Sequence, residues 1–158
     1  MGTRSRIGVM HGDKVKSVYC HWDGYLEFNG QILQEHYDSA KANHLVALGD
    51  MSSLRANIGE KHKFSPFDQR ELSNEEFKKQ FGDMCTFYGR DRGEKDVEFK
   101  VAQNFETFLE QCYMSGAEYY YIMKDGVWYC GDTYGTTDLS TKLTLLSEAL
   151  TIKEKETA

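Results

Sequence analysis

The sequence has little proline and no long apolar run. Pro66 is the only proline among 158 residues, and one proline does not mark a flexible linker. The chain is therefore predicted to form one domain over residues 1–158, with at most a weak internal boundary near 55–68. Its longest apolar runs span only a few residues, too few to cross a bilayer. No apolar stretch follows the basic start of the chain, so no secretory signal is predicted.

The chain also lacks a basic excess. Its 25 acidic and 19 basic residues give a net charge of −6. General nucleic-acid binders usually carry a positive excess, because neutralising phosphates supplies most of their affinity. General nucleic-acid binding is therefore not expected, and this mild negative charge is typical of a soluble cytoplasmic surface.

The four cysteines do not form a C-x-x-C pair, and their spacing of 65, 27 and 18 residues fits neither a zinc finger nor a zinc ribbon. They are predicted to be reduced packing residues, which suits a reducing cytoplasm. No metal or cofactor is predicted. A P-loop, a G-x-S-x-G elbow, an H-E-x-x-H helix and a Rossmann glycine fingerprint are also missing from the sequence.

Two hairpins and one helix give clear local signals. Residues 5–11 and 14–20 are predicted strands joined at Gly12 and Asp13, with Met10 opposite Val15 and Ile7 opposite Val18. Asp125 and Gly126 join a second predicted hairpin, formed by 119–123 and 127–130. Between them, apolar residues at helical spacing predict a helix that is capped by Asn104 and ends at Gly116: Phe105, Phe108, Leu109, Cys112 and Tyr113.

Weaker patterns complete the prediction. Helices are expected over 30–37, from Asp38 or Ser39 to Gly49, from Ser73 to Gly82, and along the stripe Leu139, Leu143, Leu146 and Leu150, with a frayed tail at 153–158. Residues 50–67 are expected to be irregular. Residues 84–90 and 96–102 are expected to be strands. The fold class is therefore α+β, a single domain with a mostly antiparallel sheet built from hairpins and four to five helices packed on it.

The segment 19–25 concentrates reactive side chains. His21 and Asp23 share one face of an extended backbone, so the carboxylate could orient the imidazole as a base. They are the candidate catalytic pair. The alternative is structural: Asp23 forms a turn, Trp22 and Tyr25 pack, and His21 is half exposed.

Arginines and aromatic residues supply candidate binding groups. Arg4 and Arg6 alternate on the first strand and Arg90 and Arg92 flank Asp91, so four guanidinium groups could converge on a small anionic ligand or stay on a solvated edge.

Aromatic residues make up 13% of the chain and cluster after position 118, where they form either a thick core or a binding face. The predicted binding residues are Arg4, Arg6, Trp22, Tyr25, Arg90, Arg92, Tyr120 and Trp128.

Three strings carry a resemblance to a known family. The opening Gly-Thr-Arg-Ser-Arg-Ile, the string Ser-Val-Tyr-Cys-His-Trp-Asp-Gly-Tyr at 17–25 and the string Leu-Gly-Asp-Met-Ser-Ser-Leu at 48–54 resemble a family of small uncharacterised accessory proteins of tailed bacteriophages, including T4-type phages. The resemblance covers roughly the first third of the chain. It implies an accessory protein that acts in the cytoplasm of the infected bacterium and transfers no catalytic residue.

Two functions follow as expectations. The first is binding of a host protein, for host takeover or against a defence system, through an aromatic and arginine-bearing face. The second is binding or hydrolysis of a small ligand or nucleotide, centred on His21 and Asp23 and held by Arg4 and Arg6. Neither a membrane partner nor a particular oligomeric state is predicted, and catalysis is the less favoured function.

Overall fold

The computed structural model describes residues 3–59, 84–133 and 143–157, with side chains described up to residue 152. The strands are β1 (Ser5–His11), β2 (Lys14–Cys20), β3 (Met51–Ser53), β4 (Thr86–Phe87), β5 (Lys100–Ala102), β6 (Tyr119–Lys124), β7 (Val127–Asp132) and β8 (Thr144–Leu145). The α-helices are α1 (Gln31–His36), α2 (Ser39–Ala47), α3 (Tyr88–Arg92), α4 (Phe105–Ser115) and α5 (Leu146–Thr157), and a π-helical turn, Leu26–Gly30, precedes α1.

The described strands form one sheet in the order β4-β3-β2-β1-β6-β7-β8, with β5 also paired to β2. Five of the seven pairings are antiparallel; β1–β6 and β2–β3 are parallel. In the first hairpin Ile7 lies opposite Val18 and Met10 opposite Val15, as the sequence predicts. The parallel β1–β6 pairing places both predicted hairpins in the same sheet. The α+β class with a mostly antiparallel sheet is thus confirmed.

Helices cover both faces of this sheet. On one face, Ile7, Val18 and Tyr121 pack in the larger apolar core, which also contains residues of α1, α2 and α5. On the other face, Tyr120 and Ile122 pack in a smaller core against Phe108, Leu109 and Cys112 of α4. Burying this apolar area removes it from water and stabilises the sheet–helix layers.

The ends of two helices confirm the predicted caps. Asn104 accepts a hydrogen bond from the Thr107 backbone N–H at 2.8 Å, and Gly116 ends α4 in the left-handed region with φ +73°. Asp38, rather than Ser39, caps α2 by accepting from the Lys41 backbone N–H at 2.8 Å. These side chains satisfy backbone N–H groups that have no partner inside the helix.

The prediction of two strands over 84–90 and 96–102 is wrong in part. Only the short β4 and β5 form, and β5 pairs with β2 instead of β4. The chain turns helical at Tyr88 because the Asp91 carboxylate accepts from the Phe87 backbone N–H at 2.7 Å, and Gly93 ends α3 with φ +69°. A strand across this segment would break both arrangements.

Other segments also differ from the sequence patterns. The region expected to be irregular contains β3, which pairs with both β2 and β4. The last helix begins at Leu146, directly after β8, and not at the start of the predicted leucine stripe. The predicted helix from Ser73 to Gly82 and the first residue of that stripe, Leu139, lie outside the described residues.

All four cysteines are buried free thiols, Cys20, Cys85, Cys112 and Cys130, which confirms their predicted packing role. Burial raises the pKa of Cys20 and of Cys112 to about 12. Both thiols therefore stay protonated near neutral pH and are poor nucleophiles. Within the described part of the chain, none of the helices combines the length and apolar character that crossing a bilayer requires.

Candidate functional site

His21 stands immediately after the carboxyl end of β2. Its backbone N–H donates to the Met51 carbonyl at 3.2 Å, and the Trp22 N–H donates to the Ser52 carbonyl at 3.0 Å, so the chain continues alongside β3. Strands β2 and β3 run parallel. Cys20, the last residue of β2, pairs with Met51, the first residue of β3, so His21 and Trp22 lie beside β3 at the end of β2.

Tyr19 is the hydrogen-bond partner of His21. The two residues share a strand face, and the Tyr19 hydroxyl lies 2.7 Å from His21 Nδ1. Burial raises the pKa of Tyr19, which keeps its hydroxyl protonated and able to donate. A neutral His21 that accepts at Nδ1 carries its proton on Nε2, which is then free to donate to a ligand.

Asp23 does not fill the role that the sequence suggested. The backbone leaves the extended conformation at Asp23, where φ is +56°, and the Asp23 carbonyl accepts from the Asn29 N–H at 3.2 Å. The prediction that His21 and Asp23 form an extended, same-face pair is therefore wrong, because Asp23 belongs to a turn. The structural alternative fits the half-exposed His21 and the departure from extended backbone at Asp23, but it is wrong for Trp22, which is 44% exposed and not packed.

Two arginines from distant parts of the chain act on His21. Burial is the main cause that lowers the pKa of His21, and the positive charges of Arg4 and Arg92 lower it further. Arg4 precedes β1, and its Nε is buried without a hydrogen-bond partner among the described residues. Arg92 is exposed at the end of α3, with its guanidinium 5.4 Å from the centroid of the Tyr88 ring.

Asp50 joins the two elements that carry these groups. Its carboxylate accepts from the Tyr19 backbone N–H at 2.9 Å, and its carbonyl accepts from the Tyr88 N–H at 3.2 Å. Burial raises the pKa of Asp50, partly offset by the hydrogen bond from Tyr19. Asp50 thus fixes α3 beside the end of β2. We call the group Arg4, Tyr19, His21, Tyr88 and Arg92 the His21 cluster.

Arg6 and Arg90 do not join the His21 cluster, so the predicted convergence of four arginines is wrong. Arg6 is only 1% exposed, and it donates from Nε to Ser17 Oγ at 2.9 Å and from Nη2 to the Ser17 carbonyl at 3.1 Å. Arg90 pairs with Asp91 at 3.0 Å and donates to the carbonyls of Gly59 and Cys85. The guanidinium groups of Arg6 and Arg90 therefore make hydrogen bonds within the fold, and that of Arg90 also makes an ion pair.

The aromatic cluster is core rather than surface. Tyr120 is fully buried, and Trp128 is 4% exposed and donates from Nε1 to the Tyr37 carbonyl at 2.9 Å. The prediction that Tyr120 and Trp128 form a binding face is therefore wrong, because both side chains are buried. Tyr25 is half buried at the start of the π-helical turn, where its carbonyl accepts from the Phe28 N–H. Trp22 is 44% exposed beside His21.

Sequence reasoning missed three residues of this region. Tyr19 could have been found, because it lies two positions before His21 and so shares its strand face. Tyr88 and Asp50 had no such signal. Tyr88 lies in a segment with a strand pattern, and Asp50 meets Tyr19 only through the parallel β2–β3 pairing.

The chemistry of the His21 cluster suits an anion. Two guanidinium groups and an imidazole N–H can donate to phosphate or carboxylate oxygens, and Arg offers the planar fork that such groups match. In the described ranges, no three His, Cys, Asp or Glu side chains come together in a way that could hold a metal ion. Compared with known proteins, the chain matches no family model, no curated protein and no solved structure.

Proposed function

We propose that the protein binds a small phosphate-bearing ligand at the His21 cluster. The observation that carries this proposal is that Arg4, whose Nε is buried without a hydrogen-bond partner among the described residues, lies at the sheet end where Ser5 pairs with Cys20, next to His21. A bound anion would give the buried Nε an acceptor and would stabilise a protonated imidazole beside it.

Each member of the cluster has a distinct role in this proposal. Arg92 is exposed at the end of α3, so it contacts the ligand from the α3 side. Arg4 is partly buried and supplies a charge held in place near the sheet. His21 donates from Nε2, because Tyr19 occupies Nδ1. Hydrogen bonds between charged groups are roughly twice as strong as neutral ones, which favours a dianionic phosphate over a neutral ligand.

Calorimetric titration with inorganic pyrophosphate tests the proposal. Arg92→Ala should weaken binding by roughly 10- to 100-fold, because one charge-assisted contact contributes about 1.5–3 kcal/mol. Lys95→Ala is the matched control, since Lys95 is an equally exposed cation three residues further along the chain. Equal binding by the wild type and both variants would contradict a phosphate site at His21, as would no binding by the wild type.

The resemblance to tailed-phage accessory proteins supports a setting for this activity. We propose that the protein acts in the cytoplasm of the infected bacterium, where a phosphate-bearing metabolite would be its ligand. The support is the shared strings around Tyr19–Tyr25 and Leu48–Leu54. Localisation of a tagged chain in infected cells, by fractionation and immunodetection, tests this setting, and recovery outside the cytoplasmic fraction would contradict it.

A second candidate function, binding of a host protein, is favoured by a different surface. On α4 and the adjoining β5, Met114 is 85% exposed and Tyr113 and Val101 are each 42% exposed. Exposed apolar side chains of this size are typical of protein-binding surfaces. Affinity capture from the bacterial host should identify a partner whose recovery Met114→Lys abolishes. Val127→Lys, an exposed apolar position at a hairpin tip, is the control.

A further inference from the structure

Strand β5 has an open edge in the described sheet. It pairs antiparallel with β2, and no other described strand pairs with it. The Val101 carbonyl accepts from the side chain of Gln111 on α4 and therefore faces away from β2. Because backbone groups alternate in direction along an antiparallel strand, those of Phe99 face the same way as those of Val101. This edge offers main-chain groups that can pair with another strand.

Gln111 covers the edge incompletely. Its Nε2 lies 3.4 Å from the Val101 carbonyl oxygen, which is longer than the usual range, and its Oε1 is buried with no partner among the described residues. Met114 lies three positions further along α4, on the same side of the helix, and is 85% exposed. Val101 is 42% exposed. Apolar surface therefore lies uncovered by the described residues both on the strand and on the helix beside it.

The sequence along this edge is complementary to itself. Residues 97–101 are Val-Glu-Phe-Lys-Val. If a second copy pairs antiparallel in the register centred on Phe99, each Glu98 lies opposite the Lys100 of the other copy, and the valines at the two ends lie opposite each other. Glu98 and Lys100 are both exposed, and neither has an ion-pair partner among the described residues. Opposite charges directly across two strands stabilise their pairing.

The charges also select this register over its neighbours. A register centred on Lys100 would place two lysines opposite each other, and one centred on Glu98 would place two glutamates opposite each other, which destabilises pairing. A lysine on an edge strand usually prevents association with another chain. Here Glu98 supplies the lysine with a partner of opposite charge in a second copy of the same strand.

We propose that two copies of this chain associate through β5, antiparallel and centred on Phe99. A two-fold axis repeats every contact, so both Glu98–Lys100 pairs form together and the two sheets become continuous. This axis runs perpendicular to the sheet, which places the two α4 helices on the same face and brings the Met114 side chains towards each other. The paired segment is short, so the dimer is weak and reversible. This inference does not rest on the phosphate site; it assigns a second copy to the exposed apolar surface of α4 and β5.

Sedimentation velocity of the full chain, from micromolar to millimolar concentration, tests the dimer. The wild type should shift reversibly from monomer to dimer as its concentration rises. Lys100→Glu and Glu98→Lys each place like charges in both cross-strand pairs, and each should weaken dimerisation about 10-fold. The double variant restores opposite charges and should recover most of the affinity. Lys124→Glu is the matched control, because this exposed lysine ends β6, which β1 and β2 separate from β5.

The outcomes separate this inference from the proposed phosphate site. A wild type that stays monomeric at every concentration would overturn it. A dimer that survives both single substitutions, or that the double variant does not restore, would overturn it as well, because the two copies would then meet elsewhere. Pyrophosphate titration tests the phosphate site independently of either result. Circular dichroism confirms that each variant is folded.

Discussion

Two tyrosine-bearing segments look alike in the sequence and differ completely in the structure. One is the end of β2 and the turn after it, from Tyr19 to Tyr25, and the other is the β6–β7 hairpin. The hairpin buries Tyr120 and Tyr121 completely, whereas the β2 end leaves His21 half buried and Trp22 44% exposed. Aromatic content alone therefore does not distinguish a binding surface from a core.

The position of each segment in the sheet explains the difference. Strand β6 lies between β1 and β7, and apolar cores cover both of its faces, so its four central residues, 120–123, are buried although they point alternately in opposite directions. The β2 end leaves the sheet beside the short β3, where a turn follows and neither core closes over the side chains. Whether a strand residue is buried depends on which elements pack over that strand, and the local sequence pattern does not show this.

The largest predicted effect is the loss of a ring from the buried hairpin. Tyr121→Ala should lower the free energy of unfolding by about 3–5 kcal/mol, because truncating a buried aromatic residue leaves a cavity and removes its contacts. Urea unfolding followed by circular dichroism measures this change. At the β2 end, Trp22→Ala should cost less than about 1 kcal/mol, since nearly half of the ring is exposed. Similar losses for both variants would contradict the contrast between the two segments.

A smaller effect separates two neighbouring hydroxyl groups within the hairpin. The Tyr121 hydroxyl donates to the Gly24 carbonyl at 2.6 Å, whereas the Tyr120 hydroxyl is buried with no partner in the described chain. Tyr121→Phe should therefore cost about 1–2 kcal/mol, because it leaves a buried carbonyl without its donor. Tyr120→Phe should be neutral or stabilising, because it removes an unsatisfied polar group.

Thermal unfolding of both phenylalanine variants, which serve as controls for each other, measures the difference. Equal destabilisation by the two substitutions would show that hydrogen bonding by Tyr121 does not distinguish the two rings.

Local interactions made much of this fold predictable from the sequence. The turns at Gly12 and Asp125–Gly126 set the register of both hairpins, and Asn104 and Gly116 set the ends of α4. These features depend on residues a few positions apart. The parallel pairings β1–β6 and β2–β3 join segments far apart in the chain, and no turn or cap signals them.

The candidate site was only partly predictable for the same reason. His21, Arg4 and Arg92 were identified from residue type, but their grouping depends on Asp50, which holds α3 against β2. Arg6 is the same residue type two positions from Arg4, yet Arg6 is 1% exposed and donates to Ser17 Oγ, whereas Arg4 is only partly buried. The assignment of one arginine to a site and the other to the core needs the tertiary structure.

A more modest effect concerns the pH dependence of ligand binding. Burial and the charges of Arg4 and Arg92 lower the pKa of His21, so the imidazole is neutral near pH 7 in the free protein. A bound phosphate stabilises the protonated form and raises this pKa. Affinity should therefore increase severalfold as the pH falls from about 7 towards the pKa of the free protein.

Calorimetric titrations of the wild type and His21→Gln with ribose 5-phosphate between pH 8 and pH 5 measure this effect. The phosphate itself titrates near pH 6, and the affinity ratio of the two proteins cancels that contribution. Tyr19, which faces His21, stays neutral in this range, since burial raises its pKa above the usual value of about 10. A ratio that does not change with pH would exclude His21 from the site.

The smallest predicted effect is on the stability of the free protein. At pH 8, His21→Gln should change the free energy of unfolding by less than about 0.5 kcal/mol, because the imidazole is neutral and half exposed. Since the folded pKa of His21 is lowered, the unfolded chain binds more protons as the pH falls below about 6.5. The wild type should therefore lose stability relative to His21→Gln between pH 7 and pH 5. Urea unfolding at both pH values measures this difference, and a relative gain by the wild type at pH 5 would mean that the fold raises the pKa of His21 instead.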